Sequence, residues 1–193
     1  MEIVLATTNL HKIREFREMV KAILAIDLLS LHNFPDYAPP IETGANFKEN
    51  AIAKALHAAQ KLGKTVIADD SGLIVPILGG APGICSKRFA GFDATETENR
   101  KKLLSLLEGK TGLERAAYYE CCLALADKDG LKKCVTARCE GVIAEKEMGS
   151  QGFGYDALFI KHDYDKTFAE LGSVKNRISH RGKAFELLMQ ALA

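Results

Sequence analysis

The sequence predicts an α/β fold with helices packed on a sheet, and three observations predict it. A short apolar run, Glu2–Ala6, feeds a stretch of helical periodicity. A second apolar run, Thr65–Ala68, follows another such stretch. Two β-rich runs then flank Asp127-Lys128-Asp129-Gly130, a hairpin signal that adds antiparallel strands.

Taken in order, Glu2–Ala6 is a strand and Thr7-Thr8-Asn9 a turn. His11–Leu24 is a helix with Ile13, Phe16, Val20, Ile23 and Leu24 on one stripe. Ile26–Leu31 is a strand, and Pro35, Pro39 and Pro40 mark an irregular connection. The next helix is capped by Thr43 or by Asn46 with Glu49, and buries Phe47, Ala51, Ile52, Ala55, Leu56 and Ala59. Gly63 ends it, Thr65–Ala68 forms the central strand, and Leu73–Leu78 extends or pairs before Gly79-Gly80-Ala81-Pro82-Gly83 opens a loop. Thr95 with Glu98 starts a third helix that turns Leu103, Leu104, Leu106 and Leu107 inward. Ala116–Ala126 and Lys132–Ile143 form the hairpin, Leu158–Ile160 a further strand, and Asn176–Leu192 a closing helix with Ala184, Leu187, Leu188, Ala191 and Leu192 inward. One domain over 1–193 is expected, with a β-rich lobe or sheet extension over roughly 113–150.

Composition narrows the classes. With 193 residues, 47% hydrophobic and 26% charged, the chain can bury a full core, which excludes disorder. A formal net charge of +1 argues against nucleic acid and for a charged small ligand. The apolar start is too short for a signal peptide or membrane span, so no membrane partner and a cytoplasmic location are expected. Five cysteines, two of them adjacent, read as reduced and buried thiols, with Cys85 passive. Cys134 and Cys139 lack the spacing of a zinc site.

The chemistry gathers at a few junctions. Thr65–Leu73 is an apolar run that stops at Asp69, Asp70, Ser71 and Gly72. A carboxylate beside a strand interior is costly to desolvate unless a metal or donors compensate it. Successive strand side chains alternate faces, so Asp70 is read as facing ligand, as general base or metal ligand, and Asp69 as holding structure. Thr7, Thr8, Asn9, Leu10, His11 and Lys12 lie between strand and helix, where a triphosphate tail fits, although the glycines of a Walker loop are absent. Glu42 either shares a divalent cation with Asp70 or complements a helix dipole, and Lys54 either joins the site or snorkels to solvent. Gly152-Phe153-Gly154-Tyr155-Asp156 suits a loop that stacks on a flat heterocycle, with a glycine-rich loop around a core Phe as the plain alternative. Lys175 and Ser179-His180-Arg181-Gly182 supply donors for a base carbonyl or a phosphate, or else a solvated basic turn.

Together these blocks resemble the inosine triphosphate pyrophosphatase family, hydrolases that clear non-standard purine nucleotides. They are Asn9 with Lys12, Glu42-Thr43-Gly44 with Asn50-Ala51 and Lys54-Ala55, Ile67–Leu73, Gly80–Gly83, Gly152–Asp156, and Lys175 with Ile178–Gly182, in order along nearly the whole chain. The resemblance implies an α/β fold with a long mixed β-sheet flanked by helices, two lobes around a central cleft, and a homodimer. It implies hydrolysis of ITP, dITP and XTP to the monophosphate and pyrophosphate, with Mg2+. It implies that Thr7–Lys12 hold the phosphates, that Asp70 is proton acceptor and metal-linked acid, and that Ser71 touches substrate. Phe153–Asp156, Lys175, His180 and Arg181 would then line the nucleotide pocket. Arg181, a donor only, is expected to favour the 6-oxo purines over adenine. Thr8 departs from the glycine the family commonly carries, and Ile41 from a second acid found in some relatives. Rival readings are a Maf-like pyrophosphatase acting on pyrimidine or modified nucleotides and a non-enzymatic nucleotide-binding regulator.

Overall fold

A computed structural model describes residues 1–21 and 26–191. Its strands are β1 (Glu2–Leu5), β2 (Asp27–Ser30), β3 (Val66–Ile74), β4 (Ala116–Asp127), β5 (Gly130–Ile143) and β6 (Phe159–Lys161). They form one six-stranded mixed sheet in the order β2-β1-β3-β4-β5-β6. β1 runs parallel to both β2 and β3, with Val4 opposite Val66 and Leu5 opposite Ile67, whereas β5 and β6 are antiparallel. The parallel strands are apolar on both faces: Ile3, Val4, Leu5, Val66, Ile67 and Ala68 are all buried, as expected where helices cover a sheet on both sides.

The helices are α1 (Leu10–Val20), α2 (Phe47–Leu62), α3 (Glu96–Leu106), α4 (Phe168–Leu171), α5 (Lys175–Ile178) and α6 (His180–Gln190). Local chemistry sets their starts. Asn9 caps α1 by accepting from the His11 and Lys12 N–H groups. Of the two candidates for α2, Asn46 is the cap, accepting from Glu49 N while Glu49 answers through Ala45 N and the Asn46 amide. Thr95 and Glu98 form a reciprocal box on α3, and Gly63 ends α2 in the left-handed region at φ 62°.

Several expectations are corrected. The strand through Ile67 does not stop at the acids but continues to Ile74, so Asp69, Asp70 and Ser71 are strand residues and not a turn. Of the third helix's leucines, Leu103 and Leu107 are buried while Leu106 is exposed. The C-terminal helix breaks at Ser179, which adopts extended backbone, and Leu187 and Ala191 are exposed. The first helix stops at Val20, and the expected stripe positions Ile23 and Leu24 lie outside the described residues, as does Leu192. All five cysteines are free thiols, but Cys85 is exposed and Cys134 only half-buried.

The chain divides into two compact units. One comprises Met1–Ser71, Cys121–Ala137 and Arg181–Ala193, the other Gly72–Glu120 and Arg138–His180. The hairpin within the stretch 113–150 extends the sheet and divides between the units, its tip in the first and its base in the second. In the first, Ile3, Leu5, Ile13, Phe16, Ile67, Leu123, Phe185 and Leu188 share a core, with Phe16 edge-on to Phe185 at 5.9 Å. In the second, Leu73, Leu103, Leu107, Tyr119, Ile143, Phe159 and Phe168 do so. Arg115 is buried there and donates to the carbonyls of Leu107, Lys110, Ile143 and Ala144, which satisfies backbone acceptors beyond the end of α3. Among the described residues no helix is long and apolar enough to cross a membrane.

Candidate active site

The first unit holds a cluster of charges built around β3. Because side chains alternate along a strand, Asp69 and Ser71 share one face and Asp70 takes the other. Asp69 is 2% exposed and meets Lys12 Nζ through Oδ1 and Arg181 Nε at 2.8 Å through Oδ2. Ser71 Oγ donates to Asp69 Oδ1 and accepts from Arg181, each at 2.8 Å, and the Cys121 thiol donates to Asp69 Oδ2 at 3.3 Å. Arg181, also 2% exposed, binds Glu15 Oε2 at 2.5 Å. Burial alone would raise the Asp69 carboxyl, but the Arg181 and Lys12 charges outweigh it and hold it well below the usual carboxylate range.

On the opposite face, α2 presents two residues one turn apart to Asp70. Asn50 Nδ2 donates to Asp70 Oδ2 at 3.0 Å, and Lys54 Nζ donates to Oδ1 at 2.9 Å. Lys54 also reaches Glu42 Oε1 and the Asp69 carbonyl, both at 2.9 Å, so it joins the cluster instead of snorkelling to solvent. Burial pushes the Asp70 carboxyl upward and Lys54 only partly offsets it. For Lys54, burial disfavours the charged form, but Asp70 and Glu42 together raise its pKa and keep it protonated.

This arrangement also tests metal chemistry. Glu42 and Asp70 aim their carboxylates at one positive charge, the Lys54 ammonium. Magnesium commonly takes one or two carboxylates and completes its shell with water and substrate phosphate oxygens. The donor set fits that use. Among the described residues, no group of three or more His, Cys, Asp or Glu side chains is gathered for a metal.

The second unit carries the other expected residues, in different chemistry. Lys175 is buried against Asp156 Oδ2 at 2.5 Å, with its ammonium 4.7 Å from the Phe153 ring centre and 5.7 Å from that of Phe168. Asp156 also accepts from Phe153 N at 2.9 Å. Gly152 sits at φ 80°, where a Cβ would lie 2.2 Å from Asp156 Oδ2, so the loop requires glycine at that point. His180 stacks on Tyr119 at 4.5 Å and 7°, and Tyr119 stacks in turn on Phe168 at 6.0 Å.

Three of the expected site elements have other protein groups as partners in this structure. The guanidinium of Arg181, expected to face a purine, has Nε and both terminal nitrogens engaged with Asp69, Glu15 and Ser71, because two buried acids require it. Tyr155, expected to stack on a heterocycle, is a core residue whose hydroxyl donates to Ser86 O; Phe153 is the half-buried aromatic of that loop. In the Thr7–Lys12 segment, the N–H groups of His11 and Lys12 are taken by the Asn9 cap, while Thr8, Leu10 and His11 are exposed. Thr8 O is within 3.1 Å of His32 Nε2, and Thr7 Oγ1 accepts from Asn9 N.

Sequence reasoning missed Glu15 and Cys121 as partners of the cluster and gave Asn50 no role. Asn50 left a signal, a polar side chain three residues after Phe47 and four before Lys54, on the buried side of its helix. Glu15 left almost none, since two-residue spacing from Ile13 falls off the apolar stripe.

A family model described as the Ham1 family matches residues 3–191. The chain belongs to the Ham1 family. Within it, this chain is 62% identical over 190 residues to a dITP/XTP pyrophosphatase of Protochlamydia amoebophila, covering 97% of this chain and 96% of that one. It is 47% identical over 190 residues to a dITP/XTP pyrophosphatase of Chlamydia abortus, with 97% and 92% covered. Among solved structures, the Ham1 protein of Staphylococcus aureus superposes with a TM-score of 0.87 at 40% identity, over 100% of this chain and 98% of that one. A nucleoside-triphosphatase, or dITP/XTP pyrophosphatase, of Mycobacterium abscessus gives 0.78 at 34% identity with both chains fully covered. The mixed sheet flanked by helices is thus the Ham1 fold.

Proposed function

We propose that this Ham1-family protein hydrolyses dITP, XTP and ITP to the nucleoside monophosphate and pyrophosphate, so clearing non-standard purines from the nucleotide pool. The observation that carries this reading is the 62% identity, over nearly full length, to a dITP/XTP pyrophosphatase. The charge cluster around β3 supports it, because attack on a phosphoric anhydride needs a positioned base and cations for the developing charge.

Asp70 accepts the proton of the attacking water. Each of its oxygens keeps a lone pair beyond the one given to Asn50 or Lys54. Lys54 holds that carboxylate and Glu42 as one unit. The exposed residues Thr8, Leu10 and His11, with Thr7, Asn9 and Lys12, receive the triphosphate. Asp69, Ser71 and Arg181 keep Lys12 in place. Glu42 and Asp70 would hold Mg2+, which when bound would neutralise phosphoryl oxygens. Phe153 offers its ring face to the base, Gly154 gives its loop the turn at φ 61°, and Lys175, Asp156, Tyr155 and His180 shape the floor beneath. The enzyme acts in the cytoplasm as a homodimer, without nucleic-acid or membrane partners.

A pyrophosphate-release assay across purified triphosphates, with and without magnesium, tests the reading. Release from dITP, XTP and ITP at rates well above ATP is expected. A preference for pyrimidine or modified nucleotides would favour the Maf-like rival, and tight binding without release would favour a regulator.

A further inference from the structure

Asn50 is 4% exposed in the middle of α2, on a face otherwise made of Phe47, Ala51, Ala55, Ala58 and Ala59. A primary amide in such surroundings is costly unless both ends are satisfied. Both are. Oδ1 accepts from Gly44 N at 2.8 Å and Nδ2 donates to Asp70 Oδ2 at 3.0 Å. Lys54, one turn further on, takes the other oxygen of the same carboxylate at 2.9 Å. Asp70 is therefore gripped at both oxygens by residues four apart on one rigid helix, which fixes the plane of the carboxylate as a single contact would not.

The far side of the Asn50 amide is equally constrained. A Cβ on Gly44 would lie 2.6 Å from Asn50 Oδ1, 2.8 Å from Glu49 Cβ and 3.0 Å from Asn50 N, so only glycine lets the chain approach this closely. Gly44 lies two residues beyond Glu42, whose carboxylate shares Lys54 with Asp70. One amide thus joins the backbone that carries Glu42 to the side chain of Asp70.

We infer that Asn50, seated by Gly44, is a positioning residue that sets the orientation of the Asp70 carboxylate for the hydrolytic step. The inference rests on the function proposed above. It concerns how Asp70 is aimed, so it touches kcat more than substrate affinity.

The test is steady-state kinetics of pyrophosphate release from dITP with magnesium, for wild type, Asn50→Leu, Gly44→Ala and the double variant. Asn50→Leu is expected to lower kcat roughly tenfold or more, as misaimed catalytic groups do, with KM within about twofold of wild type. Gly44→Ala should lower kcat in the same way but less. The double variant should be no worse than Asn50→Leu alone, because both changes break one linkage. A kcat within about twofold of wild type in Asn50→Leu, a raised KM with kcat kept, or losses that multiply in the double variant would overturn the inference. Should Asn50→Leu fail to fold, the kcat and KM of Gly44→Ala decide by the same split. A wild-type protein that releases no pyrophosphate rejects the proposed function itself, whereas an active wild type with unaffected variants rejects only the role of Asn50.

Discussion

The two units of this molecule bury charge in opposite ways. Around β3, Lys12, Glu15, Asp69 and Arg181 are tied to one another, with Asp70, Lys54 and Glu42 on the other face of the strand. In the second unit one pair, Lys175 and Asp156, lies among the rings of Phe153 and Phe168. The first arrangement shares Asp69, Arg181 and Lys54 each between two ionic partners, so removing one of these three disturbs two pairs at once. The second leaves the lysine an aromatic face on which to rest and the carboxylate a backbone N–H from Phe153. A multi-charge cluster is thus the more fragile device and the more tunable one.

The largest effect should come from breaking the β3 cluster. Arg181→Met removes the guanidinium from both Asp69 and Glu15, and is expected to cost about 3–5 kcal/mol in denaturant unfolding. A loss below about 1 kcal/mol would mean that water or rearrangement compensates these acids after all. Lys175→Met should cost less, about 3 kcal/mol at most, because methionine keeps the contacts with Phe153 and Phe168 and the Phe153 N–H still serves Asp156. If the order of these two were reversed, the contrast between the units would fail.

Gly152→Ala sharpens the picture of the second unit. It combines a left-handed φ of 80° with a Cβ placed 2.2 Å from Asp156 Oδ2, so a loss of about 1–3 kcal/mol is expected. A thermal melt equal to wild type would show that the loop relaxes freely.

The pH dependence of stability distinguishes the clusters further. Burial raises the Asp69 carboxyl, yet Arg181 and Lys12 win and place its folded value well below the ordinary 3.8. A depressed acid contributes stability that is fully present above its unfolded value and is lost as pH falls through the folded one. Wild type should therefore lose melting temperature more steeply than Asp69→Asn below about pH 4. Parallel declines in the two proteins would refute the assignment. The smallest effect belongs to the exposed start of α1, where Leu10→Ala should shift stability by less than about 0.5 kcal/mol, so that any rise in KM reports contact with substrate.

Much of the fold was legible because it is local. The Thr95–Glu98 box, the Gly63 stop and the apolar runs of β1 and β3 are written in neighbouring residues. The break at Ser179 was not, since the apolar spacing that marks the closing helix begins at Ala184, beyond a joint that only backbone geometry reveals. The choice of Asn46 over Thr43 was similarly open, because both can cap and only the position of Glu49 against the Ala45 and Asn46 groups decides. In the site, the expectation that Asp69 and Asp70 face opposite ways followed from strand alternation alone. The partners of Arg181 did not follow, as nothing near Arg181 in sequence points to Glu15.

By itself, the sequence determined which residue types exist and where periodicity turns them, and so the α/β class, the acid-bearing strand and the family likeness. Tertiary structure alone decided which charge meets which. Arg181 and Asp69 are 112 positions apart, and their 2.8 Å bond is a property of the packed chain, in which each buried charge must take the nearest opposite one that folding brings.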